Sequence, residues 1–416
     1  MKTSKFKMTE LGPIPEDWVV KRLGDLFELS AAGDLQTECS SRIKTDINIH
    51  PIYSNGLEDA GLYGYTSKPR YRADSITITG RGTLGHAEYR TLDFDAIIRL
   101  IVMRPSKRLD GRYVAFQINY SNPFHFEITS IPQLTVPQVA QALIPFPPLA
   151  EQRKIAEALS DVDELISALG KLIEKKRNIK TGTMQELLGM RNEECGMRNV
   201  PRRRLAGFSG AWVEKRFDEC FEIIGNNTYA RECMCDDCGG VANIHYGDVL
   251  IRYGSVLDCS RTAVPSLINS IICRTDRLSD GDVIIADTAE DETVGKAIEI
   301  RGIEGRCAVS GLHTIACRPR VDFAPGWLGY YINSSTFHDQ LLPLITGTKV
   351  SSISKAGLRT TILNVPTLAE QKAIAAVLSD IDAEIAALEA DRTKYERIKQ
   401  GMMQELLTGK TRLRGK

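Results

Sequence analysis

The sequence has no excess charge of either sign: 53 lysines and arginines stand against 53 aspartates and glutamates. A strongly basic surface, the usual footprint of a nucleic-acid binder, is therefore not written into the composition. Counting by segment does not produce one. Residues 1–147 hold 17 basic and 16 acidic side chains, and residues 189–366 hold 20 and 22. Any basic groove must come from arrangement. Apolar runs are short, and none approaches the roughly 18 residues that a membrane helix requires. Met1–Glu10 is polar, without the apolar stretch of a signal peptide, so a cytoplasmic protein is expected. Histidine is scarce: six residues, with no HxH or HxxxH spacing. There is no Asn/Asp-Pro-Pro-Tyr motif, no P-loop, no G-x-S-x-G and no H-E-x-x-H, so no catalytic residue is nominated.

The ten cysteines follow no regular framework and read as reduced thiols, mostly buried. Cys233-x-Cys235-x-x-Cys238 is the one spacing that invites zinc, with Cys259 or His245 completing a set of four. A second C-x-x-C knuckle is missing, and the expectation is no metal.

What is present is a repeat. Leu149–Leu188 and Leu368–Leu407 align without a gap at an offset of 219, with 22 identities in 40 positions. A weaker repeat, Trp18–Leu29 against Trp212–Ile223, opens each half. The chain of 416 residues therefore alternates variable region, helix, variable region, helix. The expected domains are 1–147, a first helix over 148–190, 191–366, and a second helix with a tail over 367–416.

Ile155, Leu159, Val162, Ile166 and Leu169 form a heptad seam, and Ile374, Leu378, Ile381, Ile385 and Leu388 repeat it in the same register. Pro148 and Pro366 stop structure before each helix. At 1.5 Å per residue, each helix is about 60 Å long, too long to bury its stripe in a small domain. Each copy is the obvious partner of the other; the plainer alternative lays each helix on its own domain. Farther along, the register is carried by Lys176 and Lys180, and by Arg392, Tyr395 and Lys399. Met-Gln-Glu-Leu-Leu then recurs at 184–188 and 403–407. It reads either as a packing surface for another subunit or as docking onto the neighbouring domain.

The variable regions read as mixed α/β. Ser75–Thr79, Ile97–Met103 and Asp282–Ile285 are strand-like. After the first comes Gly80-Arg81-Gly82-Thr83-Leu84-Gly85, which opens no helix and lacks a P-loop lysine. A nucleotide cradle is thus a weak reading, and Arg81 and Thr83 suit a DNA phosphate or base edge better. Tyr53-Ser54-Asn55-Gly56 is a polar turn whose Asn55 could pair with adenine, although Asn-Gly is also an ordinary hairpin turn. In the second half, the acid-rich 286–296 segment takes the place of the glycine-rich turn, and its carboxylates match no metal-ligand pattern. Thr346–Ser352 is a hydroxyl-rich turn. The candidate DNA contacts are Tyr53, Asn55, Arg81, Thr83, Gln133, Tyr253, Thr288, Lys296, Thr348, Lys349 and Ser351.

The phrases PLAEQRKIAEALSDVD at 148–163 and PTLAEQKAIAAVLSDID at 366–382, with IPEDWVVKRLGDLFEL at 14–29 and FSGAWVEKRFDECFEI at 208–223, carry a resemblance. The chain resembles the specificity subunit of a type I restriction–modification system over essentially its whole length. That resemblance implies an α+β fold: two mixed α/β target-recognition domains joined by two long antiparallel coiled-coil helices, in a pseudo-two-fold arrangement. It implies a non-catalytic DNA-recognition subunit that binds double-stranded DNA. The implied protein partners are methyltransferase subunits, two of them, and restriction/translocase subunits. S-adenosylmethionine, ATP and magnesium would serve those partners, with no cofactor bound by this chain. Two domains on such a ruler would face half-sites about one helical turn, roughly 34–36 Å, apart. The competing reading is a coiled-coil scaffold that organises partner proteins without reading DNA.

Overall fold

Alternation of apolar side chains decides the sheets. In Ser75–Thr79 every residue is buried, and successive side chains enter different surroundings, as a pleated strand requires. Ile76 and Ile78 join a core with Trp18, Leu23, Tyr113 and Ile144, whereas Thr77 Oγ1, on the other face, accepts a hydrogen bond from Arg90 Nε at 2.9 Å. Val283–Ala286 behaves likewise. Val283 and Ile285 face a core containing Trp212, Phe217 and Trp327, and Ile284 and Ala286 face a second one with Ile244 and Val249. The expected strand over Ile97–Met103 begins only at Leu100 and runs to Pro105. Ile98 is half exposed in the turn before it.

The computed structural model describes residues 5–124, 132–191, 199–236, 239–268, 274–347 and 350–413. It divides into two compact units: Met1–Gly170 with Ala390–Lys416, and Lys171–Glu389. The division falls inside both long helices, Leu149–Leu188 and Leu368–Leu406. Each unit is therefore an α/β body completed by one segment of each long helix.

Within the first unit, an antiparallel sheet has the order Phe27–Ala31, Leu100–Pro105, Ser75–Thr79, Ala87–Arg90. A second sheet has the order Asp95–Ala96, His50–Tyr53, Leu62–Thr66, Ser40–Ser41, its first pair parallel. In the second unit the main sheet has the order Phe221–Ile224, Thr314–Pro319, Val283–Ala286, Ala297–Arg301, plus an added parallel strand, Val256–Asp258. Its other sheet runs Ala308–Ser310, Ala242–Ile244, Ser266–Leu267, Met234–Cys235, with the first pair again parallel. Apart from the added strand Val256–Asp258, these two sheets keep the same strand order in both bodies, although their sequences have diverged.

The repeated segments do the same work in both units. Gln152 Nε2 donates to the Pro147 carbonyl at 2.9 Å and its Oε1 accepts from Asp110 N at 3.0 Å. Gln371, the equivalent residue, donates to Pro366 at 2.9 Å and accepts from Ala324 N at 2.9 Å. Lys399 meets Asp163 at 2.5 Å in the first unit, and Lys180 meets Asp382 at 2.6 Å in the second. These are the same pair displaced by 219 residues. Together with Leu406 and Leu407 in one core with Ile155 and Leu159, and Leu187 and Leu188 in one core with Ile374 and Leu378, these ion pairs make the two helix segments of each unit antiparallel. Lys176–Glu384 and Arg177–Glu389 add further bridges in the second unit. The polar continuation of the seam is thus an ion-paired stretch.

The apolar seam does both jobs that the sequence left open. Ile155 and Leu159 sit in the first core together with Leu406 and Leu407 of the other helix. Ile374 and Leu378 sit in the second with Leu187 and Leu188. Ile385 is also buried, while Val162, Ile166, Leu169, Ile381 and Leu388 are partly exposed. The leucine pairs that end each repeat are buried in these cores and present no apolar surface to another subunit.

Candidate nucleic-acid interface

Gly80 follows the strand Ser75–Thr79 and gathers three loops by its backbone. Its N–H donates to the Arg99 carbonyl at 3.0 Å and to Asn55 Oδ1 at 3.0 Å. Its carbonyl accepts from Leu134 N at 3.0 Å. The side chain of Asn55 is thereby tied to the junction, which explains the Asn as well as a base contact would. Glycine is required here by proximity, because a Cβ would lie 2.4 Å from the Arg99 carbonyl oxygen. Beyond it, Gly82 and Gly85 take φ of 77° and 80°, the left-handed region where glycine is favoured. Gly80→Ala is expected to push the 97–99 loop away, at a cost of about 1–3 kcal/mol. Faster amide exchange at residues 79–81 and 98–100, with unchanged exchange in the second unit, is the readout.

Arg81, Thr83, Arg99 and Gln133 are exposed around this junction. Among the described residues, neither Arg81 nor Arg99 makes an ion pair, whereas Arg70 is held by Asp95 at 2.6 Å and Arg72 by Asp93 at 2.7 Å. Arg99 was not singled out from sequence, since it sits inside a strand-like run. Tyr53 serves the fold: Arg90 lies over its ring at 3.6 Å, and Phe94 packs against it with centroids 5.7 Å apart. The Thr83 carbonyl accepts from Thr79 Oγ1.

The second unit builds the same junction from different residues. Asp287 follows the strand Val283–Ala286. Its N–H donates to the His313 carbonyl at 3.1 Å and its carbonyl accepts from Ile353 N at 2.9 Å. Asp287 thus stands where Gly80 stands, His313 where Arg99 does, and Ile353 where Leu134 does. By chain position, Thr288 then matches Arg81 and Ser352 matches Gln133. Thr288 Oγ1 donates to Asp287 Oδ1 at 2.8 Å and lies 3.3 Å from His313 Nδ1. His313 is exposed at φ 53°, a strained backbone for a non-glycine residue. Tyr246 meets it edge-on, 5.3 Å between centroids. Thr288 and Ala289 pair with Ser352 and Ser351 across a short antiparallel bridge, so Ser351 is brought to the same place.

Two expected contacts are corrected. Lys296 is half-buried, with its Nζ donating to the Leu250 carbonyl at 2.7 Å, and burial lowers its pKa. It is committed to the interior rather than to a phosphate. Tyr253 is buried in the core with Val249 and Leu257, and burial raises its phenol pKa. Thr348 and Lys349 lie outside the described residues. Cys235 is disulfide-bonded, which corrects the reading of uniformly reduced thiols and removes it as a thiolate ligand. Cys233 is a free thiol, and Cys238 lies outside the described residues. His245 Nδ1 is engaged as the cap of a short helix, accepting from Gly247 N at 3.3 Å.

Residues 15–178 match the family model described as the type I restriction modification DNA specificity domain. The type I restriction enzyme MjaVIII specificity subunit of Methanocaldococcus jannaschii is 25% identical over 445 residues, spanning 99% of this chain and 97% of the relative. A crystal structure of the type I restriction–modification S subunit from M. genitalium matches with TM-score 0.59 at 14% identity, covering 97% of this chain and 98% of that one. A chain from a study of complex assembly and conformational transition of the type I system matches with TM-score 0.51 at 17% identity, covering 96% and 99%. These structures carry the fold, and the specificity domain and the full-length relative carry the similarity in sequence. The alternative of a scaffold indifferent to DNA has no support among them. Residues 15–178 thus carry a match to the type I restriction modification DNA specificity domain, and over nearly its whole length the chain is similar to type I restriction enzyme specificity subunits.

Proposed function

We propose that each unit reads one half of a split DNA site and that the paired helix segments fix the spacing between the halves. The observation that carries this reading is the repeated loop junction: one backbone arrangement, at Gly80 and at Asp287, dressed with unlike side chains. A scaffold kept constant while its exposed groups change is what reading two different sequences needs, because base edges are distinguished by hydrogen-bonding pattern. The target is therefore asymmetric. The helices offer docking surface to two methyltransferase subunits, and restriction/translocase subunits complete the assembly. S-adenosylmethionine, ATP and magnesium belong to those partners' chemistry. With 53 basic and 53 acidic residues, the free chain holds DNA weakly, and tight binding arises in the complex. No helix among the described residues is long and apolar enough to cross a membrane.

The test is exchange of one variable region. Replacing residues 30–147 with the corresponding region of another specificity subunit is expected to change one half of the methylated sequence and leave the other intact. The readout is genome-wide mapping of methylated adenines. A change in both halves, or in neither, would refute the modular reading.

A further inference from the structure

We infer that the two junctions read opposite hydrogen-bonding characters: Arg81 and Arg99 recognise an acceptor edge, guanine, in one half-site, and Asp287 accepts from an amino-bearing edge, cytosine or adenine, in the other. The inference rests on the proposed function and adds which chemistry each half reads.

The argument starts from the matched positions. Arg81 and Thr288 are equivalent, as are Arg99 and His313, Gln133 and Ser352, and Gly80 and Asp287, because the same two backbone hydrogen bonds frame both sets. The first set offers two guanidinium groups, which donate and never accept. Both are exposed and free of ion pairs among the described residues. A guanidinium fork fits guanine O6 and N7 as it fits no other base edge. The second set replaces both arginines and puts a carboxylate where the first has only glycine. Asp287 Oδ1 is engaged by Thr288 and lies 3.4 Å from His313 Nδ1, while Oδ2 takes no hydrogen bond among the described residues. Its side chain is a quarter exposed. An ionised carboxylate accepts only, so the base it suits must present an N–H group. A carboxylate against guanine O6 and N7 would face two acceptors, and repulsion would exclude that base.

The junction itself does not depend on these side chains. Gly80 is held by the carbonyl of Arg99 and not by its guanidinium, and Asp287 by its own main chain. Arg81→Gln, Arg99→Gln and Asp287→Asn therefore keep the fold while changing the donor–acceptor pattern.

The test uses the whole complex, with its methyltransferase subunits, in cells whose methylated adenines are mapped genome-wide. Wild type is expected to require a guanine in one half-site and an amino-bearing base in the other. The paired Arg81→Gln and Arg99→Gln change is expected to relax the guanine by about 5- to 100-fold in relative methylation rate, leaving the other half strict. Asp287→Asn is expected to relax one position of the other half by a similar factor. An even fall at all sites, with no base relaxed, would show phosphate contacts only and overturn the inference while leaving the functional reading standing. Relaxation by both sets in the same half would overturn it too. A wild-type complex that methylates no split site would overturn the functional reading, and the inference with it.

Discussion

Arg412→Ala is expected to destabilise the first unit by about 3–5 kcal/mol and to leave the second unchanged, although residue 412 lies at the far end of the chain from the first unit's sheets. The reason is a buried carboxylate. Glu151, at the start of the first long helix, is 3% exposed. It accepts from Arg412 Nε at 2.7 Å and Nη2 at 2.6 Å, with Trp18 Nε1 at 3.3 Å as its third partner. Arg412 also spans to Asp17 at 2.7 and 2.8 Å. Removing the guanidinium leaves a buried charge with one long neutral hydrogen bond, which is the costly way to break such a pair. The second unit contains its own control. Glu370, the equivalent carboxylate, is 1% exposed and is held by Arg204 at 2.7 and 2.9 Å. Arg204→Ala should weaken that unit alone. Hydrogen exchange resolved by segment reads both effects, and equal loss in the two units from either change would contradict this assignment.

A chain ending at Gly210 is expected to form a dimer, with nearly all of the protein at twice the monomer mass in sedimentation or light scattering. The first unit is incomplete without residues 390–416. In the shortened chain a second copy supplies an equivalent segment, because 171–188 repeats 390–407. Leu187 and Leu188 would replace Leu406 and Leu407 in the first core, Met184 would replace Met403, and Lys180 would take the place of Lys399 against Asp163. Arg204, retained before Gly210, would meet Glu151 as Arg412 does. The dimer would display two identical junctions, and with methyltransferase subunits it should modify a site whose halves are the same. Lys180→Asp should weaken this dimer, since it places a second acid against Asp163. A folded monomer, or a dimer indifferent to Lys180, would mean the repeats are not interchangeable.

Both expectations depend on something that sequence showed well, the gapless repeat. Its helical character was legible because a heptad seam is a local, periodic signal, and Ile155, Leu159, Ile374 and Leu378 lie buried where that seam put them. The strand Ser75–Thr79 and, one residue out of place, the strand read at Asp282–Ile285 and found at Val283–Ala286 were legible because short runs of β-branched residues are also a local signal. Less was visible wherever the deciding contact was distant. Lys296 and Tyr253 looked like exposed polar groups, and the Leu250 carbonyl and the core around Val249 claimed them instead. Arg99 was hidden inside an apolar run, and its exposure follows from a turn at residues 97–99. No period announces such a turn.

The shared strand order of the two units was likewise out of reach, since side chains in the bodies diverge while hydrogen-bonded backbone pairing does not depend on their identity. The sequence by itself determined the two long helices, their equivalence and the resemblance to type I specificity subunits, because those rest on spacing and identity along the chain. Only the tertiary structure decided that the tail closes the first unit through Arg412, and that Gly80 and Asp287 occupy one place. A buried carboxylate and a loop junction are defined by groups that meet across tens to hundreds of residues, and their meeting leaves no mark in local sequence.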